Sequence, residues 1–159
     1  MMNNLTFADF YSTKIDHLTL AECLDIHYDL NPHFTKWHKY HSPLARRIIK
    51  AHDITHIIFA CDTSLLGELQ VQSWSSFGVK KNLLEAPKYL KDKEATSLLN
   101  PVGFSNLVWF ILTHLQEVFK VWQQSRKLSK KWVYFDEDRY MATKIGDIRA
   151  EYNIMISGL

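Results

Sequence analysis

The sequence has few of the features that mark secreted or membrane-spanning proteins. Its 159 residues include only two cysteines, Cys23 and Cys61, too few for the disulfide framework of a small secreted domain. No apolar run reaches the roughly 20 residues that a membrane span needs. The N-terminal residues MMNNLTFADF have neither the apolar core of a signal peptide nor the Arg-rich character of a transit peptide. We therefore expect a cytoplasmic protein with reduced thiols.

An excess of one charge is also lacking. Lys and Arg number 19 against 17 Asp and Glu, so the formal net charge is only +2, which argues against a nucleic-acid partner. The chain has five glycines and four prolines, and no stretch resembles a linker or a repeat. With 47% apolar residues, residues 1–159 are predicted to form a single helical domain with one core.

Helix signals dominate the chain. Thr19 and Glu22 have the spacing of a capping box, and Ser42-Pro43 resembles an N-cap followed by proline in the first turn. The predicted helices run from after Thr19 to about Leu30, from Pro43 to about Ala60, from Leu65 to Phe77, from about Phe104 to near Arg126 and from about Ile145 to Tyr152. Residues 80–94 are expected to form a short helix and loop, and Trp132 to Phe135 a short strand. The predicted fold class is all-α, an irregular helical bundle.

A group of metal-ligating side chains lies around the second predicted turn. His52 and His56 are four residues apart, which places both imidazoles on one helix face at a spacing that suits a divalent metal. In one unbroken helix Glu68 would lie about 18 Å beyond His56. If the chain reverses at residues 62–64 into a helical hairpin, Glu68 faces His56 across helices packed roughly 8–10 Å apart. Gln72 would then lie opposite His52 as a hydrogen-bond partner.

Asp53 does not share a helix face with its neighbour His52. It is either a further ligand reached by a bent approach or a base beside the ion. Two imidazoles with one or two carboxylates suit a divalent metal. Zn²⁺ is our first expectation, and Fe²⁺ and Mn²⁺ remain alternatives.

The segment HDITHIIFACDTSLLGELQVQSWSSFG resembles the signature of the coenzyme Q (ubiquinone) biosynthesis protein four family. The similarity lies in the pattern H-D-x-x-H with a glutamate twelve positions on, in Leu-Gly-Glu at 66–68 and in Gln-x-Trp at 72–74. A later stretch at 148–151 is similar to the family's closing helix. The resemblance implies an all-helical fold and a metal site formed by His52, Asp53, His56 and Glu68. The absence of an extended N-terminal region suggests a bacterial-type short member.

The resemblance also implies a function. The protein would act on a polyprenylated 4-hydroxybenzoate-type ring and replace the carboxylate with a hydroxyl, an oxidative decarboxylation in which Asp53 and Glu68 are the expected catalytic residues. The polyprenylated quinone precursor and other quinone-biosynthesis proteins are the expected partners. The apolar helix between Phe104 and Trp122 is either core or the lining of a groove for the polyprenyl tail.

A membrane surface is a further expected partner. The basic cluster Arg126, Lys127, Lys130 and Lys131 lies next to aromatic residues, so it is either a solvated helix end or a site for peripheral contact with the inner face of the membrane.

Two other functions stay open. A non-catalytic lipid-binding scaffold would present the polyprenyl intermediate to partner enzymes with the metal in a structural role only. An HD-type metal hydrolase would also use a His-Asp doublet, but it needs further His and Asp ligands on distant helices. A zincin-like protease is disfavoured because Asp53 stands where that class has a glutamate base.

Overall fold

The computed structural model describes residues 6–80, 92–94 and 112–156. Within these ranges the chain forms an irregular bundle of α-helices, which confirms the predicted fold class. The helices are α1 (Phe7–Phe10), α2 (Leu20–Leu30), α3 (Pro43–Ile58), α4 (Leu65–Phe77), α5 (Leu115–Ser125) and α6 (Ile145–Tyr152). Short 3₁₀ turns cover Thr13–Ile15, Trp37–Lys39 and Glu137–Tyr140.

The caps that the sequence predicts are present at the helix starts. Thr19 and Glu22 form the capping box of α2, with the Thr19 backbone N–H donating to the Glu22 carboxylate at 2.8 Å. Ser42 caps α3, and Pro43 occupies its first position. Ser64 caps α4 by accepting from the N–H three residues on. Local sequence therefore fixes where each of these helices begins.

The reversal between α3 and α4 starts earlier than predicted. Helix α3 ends at Ile58 and not near Ala60, because Ala60 adopts the left-handed conformation with φ of 53°. The Cys61 N–H then donates to the carbonyl of His56 at 2.9 Å, as in a Schellman-type helix end. Three residues further on, Ser64 is the N-cap of α4, so the two helices form the predicted hairpin.

The predicted long helix from Phe104 to Arg126 is only partly within the described residues. Its first part, 104–111, lies outside them, as do residues 81–91 of the predicted short helix and loop. Where the structure describes it, the helix is not continuous, because His114 leaves the helical conformation and α5 begins at Leu115. Its apolar stripe is not simply core. Val121 is buried, whereas Leu115 and Phe119 are more than half exposed.

The core lies between α2, α3, α4, α6 and the segment that follows α5. Trp132 begins strand β2 (Trp132–Val133), which pairs in parallel with β1 (Val79–Lys80) directly after α4. This confirms the extended segment predicted there, although only its first two residues form the strand. Phe59, at the end of α3, stacks on Trp74 of α4 with ring centroids 4.1 Å apart, and this buried contact joins the two helices of the hairpin. Among the described residues, no helix combines the length and apolar content needed to span a membrane.

Candidate metal centre

The helical hairpin brings two imidazoles and one carboxylate together. The Nε2 atoms of His52 and His56 are 3.1 Å apart. Glu68, in the first turn of α4, places Oε2 at 3.3 Å from His52 Nε2 and Oε1 at 3.3 Å from His56 Nε2. Glu68 therefore approaches both histidines across the turn, as the spacing of the three residues predicted.

These three residues could hold a divalent metal ion. An ion bound tetrahedrally at about 2.0–2.1 Å has ligand atoms roughly 3.3–3.4 Å apart, close to the separations within this group. One ligand atom from each of His52, His56 and Glu68 lies within 4.8 Å of the others. Nitrogen with carboxylate oxygen suits Zn²⁺, Fe²⁺ and Mn²⁺, so the donor set does not select the metal.

His56 is held in the tautomer that a metal ligand needs. Its Nδ1 lies 3.0 Å from the carbonyl oxygens of both Cys61 and Asp62, and carbonyls can only accept. Nδ1 must therefore carry the hydrogen, which leaves the lone pair of Nε2 directed at Glu68. The turn that ends α3 supplies both carbonyls, so the fold of the hairpin orients the ligand.

The charges of the group are complementary. Burial opposes ionisation of Glu68, but the contacts with His52 and His56 outweigh it and hold the pKa of Glu68 well below its ordinary value. Burial also opposes protonation of His56, yet the contact with Glu68 outweighs this effect and raises the pKa of His56. The arrangement therefore favours a positive charge between the carboxylate and the two imidazoles.

The group is open on one side. The side chain of His56 is only 1% exposed, whereas those of His52 and Glu68 are 24% and 37% exposed. Three protein ligands with an accessible side are typical of catalytic zinc sites, in which the remaining position takes water or substrate. Structural zinc sites are usually closed by four protein ligands. The exposure of His52 and Glu68 therefore favours a site that small molecules can reach and bind.

Asp53, predicted as a ligand or a base, lies beside this group and is not brought into it. The Tyr28 hydroxyl donates to Asp53 Oδ2, and Asp53 Oδ1 lies 3.9 Å from Nε2 of His27. Burial raises the pKa of Asp53 to about 6, close to the value that suits a proton acceptor near neutral pH. Of the two roles predicted for Asp53, this position favours the base beside an ion.

Sequence reasoning missed the two residues of α2 that lie against Asp53. His27 and Tyr28 come from α2 and are both buried. Burial, with the nearby His56 and His52, lowers the pKa of His27 to about 3, so its ring is neutral. The available signal was their position three and four residues after Leu24, on the buried face of an amphipathic helix.

Gln72 does not take the expected position. Its side chain is exposed on α4, and within the described residues it makes no hydrogen bond to His52. Glu68 reaches both histidines from the first turn of α4, whereas Gln72, one turn later, is exposed. His33, His38 and His41 are exposed and stay outside the site.

The chain was also compared with known proteins. No family model, no curated protein and no solved structure matches it.

Proposed function

We propose that this chain is a metal-dependent enzyme of ubiquinone biosynthesis that acts on a polyprenylated 4-hydroxybenzoate-type ring. The observation that carries the proposal is the three-residue group in which His52, His56 and Glu68 converge across the hairpin with separations of 3.1–3.3 Å. The resemblance of residues 52–74 to the ubiquinone biosynthesis family gives the substrate class. His52, His56 and Glu68 would hold the ion, with Zn²⁺ as the first choice and Fe²⁺ or Mn²⁺ as alternatives.

The proposed reaction is an oxidative decarboxylation. The ring loses its carboxylate as carbon dioxide and gains one oxygen atom from dioxygen as a hydroxyl. The other oxygen atom is reduced to water with two electrons from a reductant. A divalent metal acts as a Lewis acid for ring oxygens when bound. Asp53 is proposed to accept a proton from the substrate, since its carboxylate lies next to the group and its pKa is raised to about 6.

An apolar groove beside α5 is evidence in favour of a substrate with a lipid tail. It has a volume of about 480 Å³ and is lined by Phe77, Leu115, Gln116, Val118, Phe119 and Trp122. Only Gln116 among these side chains is polar, and a polyprenyl tail needs an apolar lining of this kind. Gln70 of α4 contacts Glu117 of α5 at 3.5 Å, so the groove lies on the helix pair that also carries Glu68.

The same groove favours the second candidate function, a lipid-binding scaffold without catalysis. In that case the chain would hold the polyprenyl precursor for partner enzymes, and the metal would only stabilise the hairpin. Contact with an anionic membrane surface through Arg126 and Lys127 belongs to both proposals.

The experiment uses the full chain loaded separately with Zn²⁺, Fe²⁺ and Mn²⁺. A polyprenylated 4-hydroxybenzoate labelled with ¹³C at its carboxyl is supplied with dioxygen and a reductant, and labelled carbon dioxide is measured. Glu68→Gln and His52→Ala are expected to lower the release at least about 100-fold, together with the metal content. Gln72→Ala, one turn further on α4, is the matched control and should behave like the wild type.

Two outcomes would overturn the enzymatic proposal. Substrate binding without any carbon dioxide release would support the scaffold instead. Full release by the His52→Ala variant would show that the group has no part in the reaction.

A further inference from the structure

His27 has an unpaired polar atom next to the metal centre. The ring is fully buried, and its Nε2 has no hydrogen-bond partner among the residues that the structure describes. This nitrogen lies 3.9 Å from Asp53 Oδ1, whereas a hydrogen bond requires about 2.9 Å. A buried ring nitrogen without a partner is rare in folded proteins and calls for an explanation.

A chain of hydrogen bonds leads to Nδ1 of His27 and favours a hydrogen on its other ring nitrogen, Nε2. The Thr63 hydroxyl donates to Asn31 Oδ1 at 2.8 Å, which identifies the other end of that amide as the donor. Asn31 Nδ2 donates to the Tyr11 hydroxyl oxygen at 3.3 Å. Tyr11 can then donate its own hydrogen to His27 Nδ1, 3.0 Å away. With Nδ1 as the acceptor, Nε2 carries the hydrogen, on the side that faces Asp53.

We infer that His27 is a positioning residue for Asp53 and donates from Nε2 to the carboxylate beside the metal centre. Tyr28 already donates to the other oxygen, Oδ2, so consecutive residues of α2 would hold both oxygens of one carboxylate. The inference deepens the proposed function and rests on it, because Asp53 is the proton acceptor in that proposal. The arrangement is complete when a small shift brings His27 Nε2 into direct contact with Asp53 Oδ1, or when a single water bridges the two atoms.

The hydrogen-bond chain connects the site to several parts of the fold. Thr63 belongs to the turn of the hairpin, Asn31 directly follows α2, and Tyr11 directly follows α1. Asp53 itself lies on α3. The direction of the Asp53 carboxylate is thereby set by residues that pack together only in the folded domain, and it stays fixed while substrate enters from the exposed side of the site.

The tautomer of His27 can be measured without any assay of activity. The full chain is labelled with ¹⁵N in histidine, and the ring nitrogens are recorded by NMR before and after addition of ¹¹³Cd²⁺ as the metal probe. We expect an unprotonated Nδ1 and a protonated Nε2 for His27 in both states, with cadmium coupling confined to His52 and His56. A hydrogen on Nδ1, or cadmium coupling to His27, would overturn the inference.

Two substitutions test the effect on the reaction. His27→Phe keeps an aromatic ring but removes the donor, whereas His27→Gln retains an N–H group. We expect His27→Phe to lower kcat at least tenfold with KM and metal content unchanged, and His27→Gln to restore a large part of kcat. His33→Phe, at an exposed histidine, is the matched control.

The outcomes separate this inference from the proposed function. Loss of bound metal in His27→Phe would make His27 a ligand, and unchanged kcat would remove it from the mechanism. If the wild type shows no decarboxylation, the proposed function fails, while the tautomer measurement still decides whether His27 donates toward Asp53. If His27→Phe does not fold, the NMR measurement and the His27→Gln variant carry the test.

Discussion

At the scale of single residues, the candidate site depends on which nitrogen of each histidine carries a hydrogen. Two backbone carbonyls at 3.0 Å require a hydrogen on Nδ1 of His56 and free its Nε2 for a metal. At His27 the Tyr11 hydroxyl lies 3.0 Å from Nδ1, and the inferred tautomer places the hydrogen on Nε2, facing Asp53. On that inference the two histidines perform different tasks, although both are buried and their ring centroids are only 5.9 Å apart.

Metal affinity should depend on pH through His56. A metal can bind Nε2 only after its proton has left, and the pKa of His56 is raised above its ordinary value of about 6.5. Affinity for Zn²⁺ is therefore expected to fall as the pH drops from 8 to 6, with a slope that approaches about tenfold per pH unit below the pKa of His56. Competition with a chromophoric chelator at several pH values measures this. A constant affinity over that range would contradict the assignment of His56 as a ligand.

At the scale of elements, the hairpin of α3 and α4 is the part of the fold that makes the site. The left-handed turn at Ala60 ends α3 and directs two carbonyls toward His56. Ser64 then starts α4 so that Glu68 falls in its first turn. Close packing at Gly67 allows this approach, because a Cβ at that position would overlap the carbonyl of Asp62. A helix pair joined in another way would not bring Glu68 to the histidines.

Substitution of Gly67 by alanine should damage the hairpin and the site together. The added methyl group would push α4 away from the backbone of Asp62, which cannot move without shifting the contacts of His56. We expect a loss of about 3 kcal/mol in the free energy of unfolding and a large decrease in metal affinity. Urea unfolding and elemental analysis measure the two effects. Ser76→Ala on the exposed side of α4 is the control and should change neither quantity.

At the scale of the whole molecule, the buried guanidinium of Arg149 joins distant segments of the chain. It extends from α6 and donates to the carbonyls of Ile58 at 3.0 Å and Ile57 at 2.8 Å, which lie at the end of α3. It also donates to the Ser12 carbonyl and to the carboxylate of Asp16. One side chain thus holds the C-terminal end of α3, from which His56 projects, against the N-terminal segment.

Arg149→Met should be strongly destabilising. The change keeps an apolar stem but removes the donors to the buried carbonyls of Ile57 and Ile58 and to the half-buried carbonyl of Ser12. A buried acceptor left without a donor costs about 1–3 kcal/mol, and the pair with Asp16, whose side chain is 38% exposed, adds less, so we expect a decrease of about 2–5 kcal/mol in the free energy of unfolding. Arg139→Met is the control, because the Arg139 ion pair with Asp136 is exposed and should contribute less than about 1 kcal/mol. Equal effects of the two substitutions would refute this account.

The exposed apolar side of α5 is the other feature of the whole molecule that calls for a partner. Phe119 stacks with Trp122 at 5.2 Å, and the Arg126 guanidinium lies over the Trp122 ring at 5.1 Å. A basic group at the edge of an apolar surface suits a lipid tail that leads to an anionic headgroup layer.

A double substitution tests this surface. Leu115→Ser with Phe119→Ser removes two side chains that are more than half exposed, so folding should be little affected. We expect affinity for a polyprenyl lipid in anionic vesicles to fall at least about tenfold, with metal content unchanged. Vesicle co-sedimentation measures the binding. Met155→Ser, an equally exposed apolar residue elsewhere, serves as control, and a similar loss with Met155→Ser would show that the effect is not specific to the groove.

Much of the fold could be predicted because its signals are local. The capping box at Thr19 and the Ser42-Pro43 start of α3 each depend on residues within one helical turn. The interruption at His114 was not predicted, and the choice between core and groove for the apolar helix stayed open, since an apolar stripe has the same pattern in both cases. The same limit applies to Gln72, because its spacing from Glu68 gives a shared helix face but not whether another helix covers that part of the face.

The sequence alone determined that His52 and His56 share a helix face, because a spacing of four residues places two side chains one above the other in any α-helix. It also determined that a turn precedes Glu68, through the polar residues at 62–64. Only the tertiary structure decided that His27 and Tyr28 surround Asp53. These residues come from different helices, and no periodicity within one segment records which faces of two helices meet. Packing of α2 against α3 settles that question, because burial of both apolar faces brings the Tyr28 hydroxyl to the Asp53 carboxylate.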